Sequence, residues 1–132
     1  MSRQVLFIQG GGNGGYEVDA SLAASLRAAL GKGYDIHYPR MQTDEAKPDF
    51  GWPQQIGREI SAVKGDVILV AHSLGASLLL KYLSENMAEK EIAGIFLLST
   101  PFWSGDEDWQ KGLKLPENFA GKLPKEVPVF FY

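Results

Sequence analysis

The segment Ala71-His72-Ser73-Leu74-Gly75 carries the clearest chemistry in the chain. It is a relative of G-x-S-x-G, in which a sharp strand-to-helix turn holds a serine in a strained conformation with its Oγ above the sheet. Such a turn brings together the residues two before and two after the serine. Only small side chains fit there, and Ala71 and Gly75 are both small. Alanine in place of the first glycine is a tolerated departure. Gly75 also lets the helix pack against the strand. The helix start adds free N–H groups and a partial positive charge where an oxyanion would form. Ser73 is therefore the expected nucleophile for acyl transfer, and the Leu74 N–H one expected oxyanion donor. The bland alternative is a serine that merely caps the helix.

A second segment, Gln9-Gly10-Gly11-Gly12-Asn13-Gly14-Gly15, follows the first apolar run. Glycine there lets backbone approach a reacting carbon with no side chain in the way. Gly11, with Gly12 next, is the expected second oxyanion donor. Gly10, Gly12 and Gly15 also satisfy G-x-G-x-x-G, which opens a nucleotide-binding reading. That fingerprint needs an acidic residue at the end of the second strand, where this chain has Tyr38-Pro39-Arg40; Asp35 lies near the strand's beginning. There is no G-x-x-x-x-G-K-[ST], so a P-loop is excluded.

These segments need elements to position them. Val5 to Ile8 is a short continuous apolar run, as in strands buried on both faces of a parallel sheet. Leu22, Leu26 and Leu30 recur at four-residue spacing and predict one apolar helix face, stopped by Gly31 and Gly33. Tyr34 to Tyr38 reads as a second strand ended by Pro39, followed by a polar loop over 40–51. Trp52-Pro53 opens a helix with Ile56, Ile60 and Val63 as its buried stripe. Val67 to Ala71 is the third strand. A helix follows Ser73 through about Ser84, with Leu78, Leu79, Tyr82 and Leu83. Ala93 to Leu98 and Val127 to Tyr132 read as the fourth and fifth strands. The order predicts an α/β fold: a doubly wound parallel sheet with helices on both faces, three layers αβα, in a single domain over 1–132. Residues 99–126 exceed the usual connection length, which suggests a lid or a small extra helix. Trp103 and Trp109 within them suit either an apolar lid or a satellite core. Asp106-Glu107-Asp108 reads as a solvated acidic turn rather than a metal site.

Composition narrows the partners. The 132 residues carry a formal charge of -3 and no Lys/Arg run, so nucleic acid is not an expected partner. The absence of cysteine excludes disulfides, thiolate metal sites and a cysteine nucleophile, and suits a reducing cytoplasm. The four apolar residues Val5 to Ile8 are too few for a signal peptide, and no run approaches a membrane span. A cytoplasmic protein without membrane contact is expected.

With these motifs assembled, the chain resembles the small α/β-hydrolases of the retinoblastoma-binding protein nine type. The shared features are Phe7-Ile8 before the glycine loop, Tyr38-Pro39-Arg40-Met41, Ala71-His72-Ser73-Leu74-Gly75-Ala76 and Ser99-Thr100-Pro101-Phe102. The resemblance spans essentially the whole chain. It implies a strand order of 2-1-3-4-5 and serine hydrolase activity on carboxylic esters of small molecules. No metal or organic cofactor is implied. Ser73 would be the nucleophile, with Leu74 and the Gly11 region as the oxyanion hole.

The family's triad runs Ser, then Asp or Glu, then His, yet no histidine follows Ser73. The family's acid is expected just after the strand beginning near Val127, and its histidine further on, so neither can be assigned within 132 residues. The domain is accordingly expected to be incomplete, or to have its apolar edge strand Val129-Phe130-Phe131-Tyr132 covered by another chain, as in a homo-oligomer. Neither His72, whose side chain in an elbow points away from the serine Oγ, nor His37 is expected to act as base. An Asp106 or Asp108 acid in a variant arrangement would still lack one. Removing a triad histidine costs on the order of a million-fold in turnover, leaving roughly 10³–10⁴-fold over water, so these residues alone are expected to be inactive. The rival reading from another class is a non-catalytic binding or scaffolding protein on the same fold.

Overall fold

A computed structural model describes residues 2–86 and 91–132. Five strands, β1 (Arg3–Ile8), β2 (Tyr34–His37), β3 (Val67–His72), β4 (Ile92–Leu98) and β5 (Val129–Phe131), form one sheet in the order β2-β1-β3-β4-β5. Every neighbouring pair is parallel. Helix α1 (Gly15–Leu30) follows β1, α2 (Trp52–Ala62) follows β2, and α3 (Leu74–Glu85) follows β3. A four-residue helix, α4 (Phe119–Lys122), precedes β5.

Strand periodicity divides the core into two layers. Leu6, Ile8, Leu69, Ala71, Ile95 and Leu97 face α2 and α3, packing with Ile56, Ile60, Leu78, Leu79 and Leu83. Val5, Phe7, Ile68, Val70, Phe96 and Leu98 face the other way, against Ala23, Leu26 and Leu30 of α1. Continuous apolar runs are what such a two-sided sheet requires. Trp52, fully enclosed, opens α2 beside Pro53, where proline's missing N–H costs nothing.

The second face is less covered than the first. Beside α1, an apolar cavity of about 400 Å³ lies open along Leu26, Leu30, Tyr34, Ile68, Phe96 and Tyr132. This changes how α1 packs. The expected face of Leu22, Leu26 and Leu30 is displaced: Leu22 is exposed, and the buried stripe runs through Asp19 and Ala23 to the partly buried Leu26 and Leu30. The four-residue spacing marked the helix, but its first turns are seated with Asp19 buried and bonded to the Gly10 N–H.

Boundaries differ in small ways from expectation. β1 gains Arg3 and Gln4 because they pair with Tyr34 and Asp35 of β2. β5 starts at Val129 and pairs with β4 through Ile95, Phe96 and Leu97. Its Phe130 and Phe131, and Tyr132 just after it, are exposed at the sheet edge.

Candidate active site

Parallel strands end on the same side of a sheet, and their connecting loops share that rim. Ile8 is level with Ala71, and His72 with Leu98, so the glycine loop, the elbow and the segment after β4 leave together. Asp35, by contrast, sits at the opposite end, on the second residue of β2. The nucleotide reading thus lacks its acidic residue at the rim where the glycine loop stands.

At the end of β3 the Ser73 N–H donates to the Leu98 carbonyl (2.8 Å), and the Ser73 carbonyl accepts from Ala76 and Ser77 to start α3. Between these anchors Ser73 is held at φ 54°, ψ -122°, positive φ on a non-glycine residue. Its side chain makes no capping hydrogen bond. A capping serine has extended or otherwise relaxed backbone and bonds an N–H two or three residues on; Ser73 does neither. Gly75 is obligatory: a Cβ there would lie 2.1 Å from the Gln9 carbonyl oxygen and 2.9 Å from Ile8 Cγ2. Ala71 is fully buried beneath the turn.

The glycine loop lies against the elbow. A Cβ on Gly11 would meet Leu74 Cδ2 at 2.5 Å and Leu74 Cβ at 3.0 Å. Gly12 and Gly14 have positive φ and open surroundings, so they serve the turn itself. Gly15 begins α1 under the Gly10 carbonyl, where a Cβ would sit 2.5 Å from that oxygen.

Two buried polar side chains that the motifs did not single out fix this loop. Gln9 donates through Nε2 to the Gly10 carbonyl (3.2 Å) and accepts the Met41 N–H at Oε1 (2.7 Å), tying β1 to the segment after β2. Asp19 Oδ2 accepts the Gly10 N–H (2.7 Å) and lies 2.8 Å from His72 Nδ1. The sequence held one signal for Asp19: it stands at helical spacing with Ala23, Leu26 and Leu30, a charged residue within an apolar stripe. His72 is thus engaged with α1, and His37 Nε2 lies 2.6 Å from Gln4 Oε1 on the edge of the sheet.

Ser73, Leu74, Gly11 and Gly12 border a cleft of about 360 Å³ whose remaining walls are Phe50, Pro101, Trp103, Trp109 and Leu113. A larger hollow near Arg58 and Tyr82 lies away from the elbow. The two tryptophans meet edge to face, ring centres 5.1 Å apart. Trp103 packs on the core while Trp109 stays half exposed, so the segment both seals the core and walls the cleft. Ser77 Oγ bonds the Pro101 carbonyl, fixing this segment to α3. Among the described residues, the buried side-chain polar atoms lacking a partner are Thr100 Oγ1 and Trp103 Nε1, both on it. Asp106, Glu107 and Asp108 are exposed, and Asp108 pairs with Lys111. Among the described residues no three metal-ligating side chains cluster.

Beside the loop, Tyr16 stacks on Tyr38 (4.5 Å) under the Arg40 guanidinium. Burial, with a smaller contribution from Asp19, pushes the Tyr38 phenol up to about 12. The exposed Glu17 is held below the usual carboxylate range, first by its backbone hydrogen bond in the opening turn of α1 and then by Arg40.

Sheet order, crossover helices and the strained turn after β3 define an α/β-hydrolase fold. Residues 34–126 match the Serine hydrolase family, and the chain belongs to that family. Among solved structures, the metagenome-derived lipolytic enzymes LipS and LipT give a match with TM-score 0.57, 19% identity, and coverage of 81% of this chain and 46% of theirs. A pyrethroid hydrolase from Sphingobium faniae JZ-2 matches with TM-score 0.50 and 18% identity, over 78% of this chain and 42% of its own. At these identities the likeness is one of fold. The chain spans less than half the length of these structures. No curated protein matches the sequence. No helix among the described residues is long and apolar enough to cross a membrane.

Proposed function

We propose that this chain is the nucleophile-bearing core of a serine hydrolase acting on carboxylic esters of small molecules, of the retinoblastoma-binding protein nine type. The observation that carries the reading is the backbone of Ser73: positive φ at a strand–helix junction, with no capping bond, facing a cleft against Gly11. Strain of this kind persists where the surroundings enforce it and is concentrated at functional sites.

In the proposed reaction, Ser73 Oγ attacks the ester carbonyl carbon and its proton passes to a base. The N–H groups of Leu74 and Gly11, with Gly12 in reserve, receive the oxyanion. The C–O bond to the alcohol then breaks, the alcohol leaves with the proton, and water hydrolyses the acyl-serine. The apolar walls from Phe50 to Trp109 would take the acyl chain. Both histidines of these 132 residues are engaged elsewhere, so the proposal places the base and its acid in further polypeptide of the same protein. We take the working protein to be cytoplasmic, free of metal or organic cofactor, and complete only with that added segment.

The missing histidine favours one alternative, a binding protein on the hydrolase fold. Intact-mass spectrometry after exposure to a fluorophosphonate separates the two. With the protein at its natural full length, one adduct on the wild type, absent from Ser73→Ala, is the expected result. An unmodified wild type would leave the binding protein as the better account.

A further inference from the structure

Asp19 is a carboxylate set into the apolar side of α1, nearly inaccessible to solvent. A buried carboxylate is costly unless donors meet it. Two do, and both belong to the site. Gly10 immediately precedes the expected oxyanion donor Gly11, and His72 immediately precedes the nucleophile Ser73. One oxygen, Oδ2, receives the Gly10 N–H at 2.7 Å and faces His72 Nδ1 at 2.8 Å, distances typical of bonds to a charged acceptor. A carboxylate oxygen only accepts, so the contact is a hydrogen bond when the imidazole proton is on Nδ1.

The space around this contact is filled. A Cβ on Gly10 would come within 2.9 Å of His72 Nδ1 and 3.1 Å of Asp19 Oδ2. Glycine at position 10 is needed for the clamp to close, just as glycine at 11 is needed for the loop to rest on Leu74. The Gly10 carbonyl is held in turn by Gln9 Nε2. Both backbone polar groups of Gly10 are thus held, leaving the next N–H, that of Gly11, free, and the elbow is fixed to the same carboxylate.

We propose that Asp19 is the positioning residue of the oxyanion hole: a single buried carboxylate oxygen joins the glycine loop to the elbow and sets the spacing between the Gly11 and Leu74 N–H groups. Asp19 does not touch the substrate; it acts through Gly10 and His72. The inference rests on the reading of Ser73, Leu74 and Gly11 given above. It explains why a charged residue occupies the apolar stripe of α1. An apolar residue would pack there but leave the Gly10 N–H unpaired and the two halves of the hole unconnected.

The test uses the protein at its natural full length, base and acid included, in two measurements. The first is amide hydrogen exchange by NMR, which needs no turnover. In Asp19→Ala the Gly10 amide should exchange at least about 100-fold faster, while Leu69 and Ile95 in the sheet keep their protection. Unchanged Gly10 exchange would overturn the clamp outright. The second is the concentration dependence of fluorophosphonate labelling at Ser73. In Asp19→Ala the limiting rate should fall about 100-fold, as when an oxyanion donor is lost, with the half-saturating concentration within about two-fold of wild type. Asp19→Asn keeps an acceptor oxygen and should recover the rate to within about ten-fold. Gly10→Ala approaches the same contact from the other side and should reproduce the loss if Asp19→Ala does not fold. A folded Asp19→Ala labelled at the wild-type limiting rate would refute the positioning role. If the wild type takes no adduct at Ser73, the reading of the site fails and the catalytic role of Asp19 falls with it; the amide data then still decide whether the clamp exists.

Discussion

Replacing Ser73 with glycine should make this protein more stable, and the structure says by how much. Ser73 sits at φ 54°, ψ -122°. A non-glycine residue in such a sparsely populated region stores about 1–3 kcal/mol, which glycine would relieve. Against this, glycine loses more chain entropy on folding, about 0.5–1 kcal/mol. The Ser73 hydroxyl makes no capping bond that would be lost. The net expectation is a gain of about 1 kcal/mol. At ~2.1 cal/mol/K per residue, 132 residues unfold with an entropy near 280 cal/mol/K, so Tm should rise by about 4 °C. Ser73→Ala keeps the Cβ, relieves nothing, and should melt within about 1 °C of wild type. A helix-capping serine predicts a different pattern: alanine would cost about 1 kcal/mol and glycine only a few tenths. Thermal melts followed by circular dichroism on the three proteins separate these cases. A Ser73→Gly protein no more stable than Ser73→Ala would refute the claim that this turn is strained, and the nucleophile assignment would lose its main support.

Gly75→Ala should lose about 3 kcal/mol in urea melts, because its Cβ would fall 2.1 Å from a backbone oxygen of Gln9; Gly33→Ala, with nothing within 4 Å, serves as the neutral control. Trp109 is half exposed on the cleft wall. Trp109→Ala should leave stability within about 0.5 kcal/mol of wild type, yet reduce the labelling preference for a long-chain over a short-chain fluorophosphonate about ten-fold, the equivalent of two buried methylenes. The Tyr38 phenol titrates near 12 in the fold, against about 10 when unfolded. Its neutral form therefore supports the fold fully below pH 10, and that support is lost as pH rises from 10 through 12. Tyr38 also donates to the Tyr16 carbonyl, so Tyr38→Phe should be about 1 kcal/mol less stable at pH 7, with the gap to wild type narrowing above pH 10 in denaturant titrations.

Much of this protein was legible in one dimension. Continuous apolar runs such as Val67 to Ala71 specify strands covered on both faces, because no alternation survives when both sides are buried. The small residues around Ser73 specify a tight turn, because sterics within five residues decide it. Five strands, their parallel order and the place of the tight turn at Ser73 all follow from such local rules and from the resemblance they carry.

What remained hidden depends on residues distant in sequence. Leu22 has the spacing of a core residue yet is exposed, while Asp19, 53 residues before His72, is buried against that histidine. No local pattern shows that one carboxylate meets Gly10 and His72 together; only the crossover of α1 above β1 and β3 brings them within 3 Å. The same holds for the cleft, where Phe50 from the loop before α2 and Trp103 and Leu113 from the segment after β4 come together beside Ser73. The sequence alone determined the elements and the turn, since those are set by short-range sterics and periodicity. The tertiary structure decided which polar groups hold the loop and which apolar groups wall the cleft, since hydrogen bonds and packing act through space between segments that the chain keeps apart.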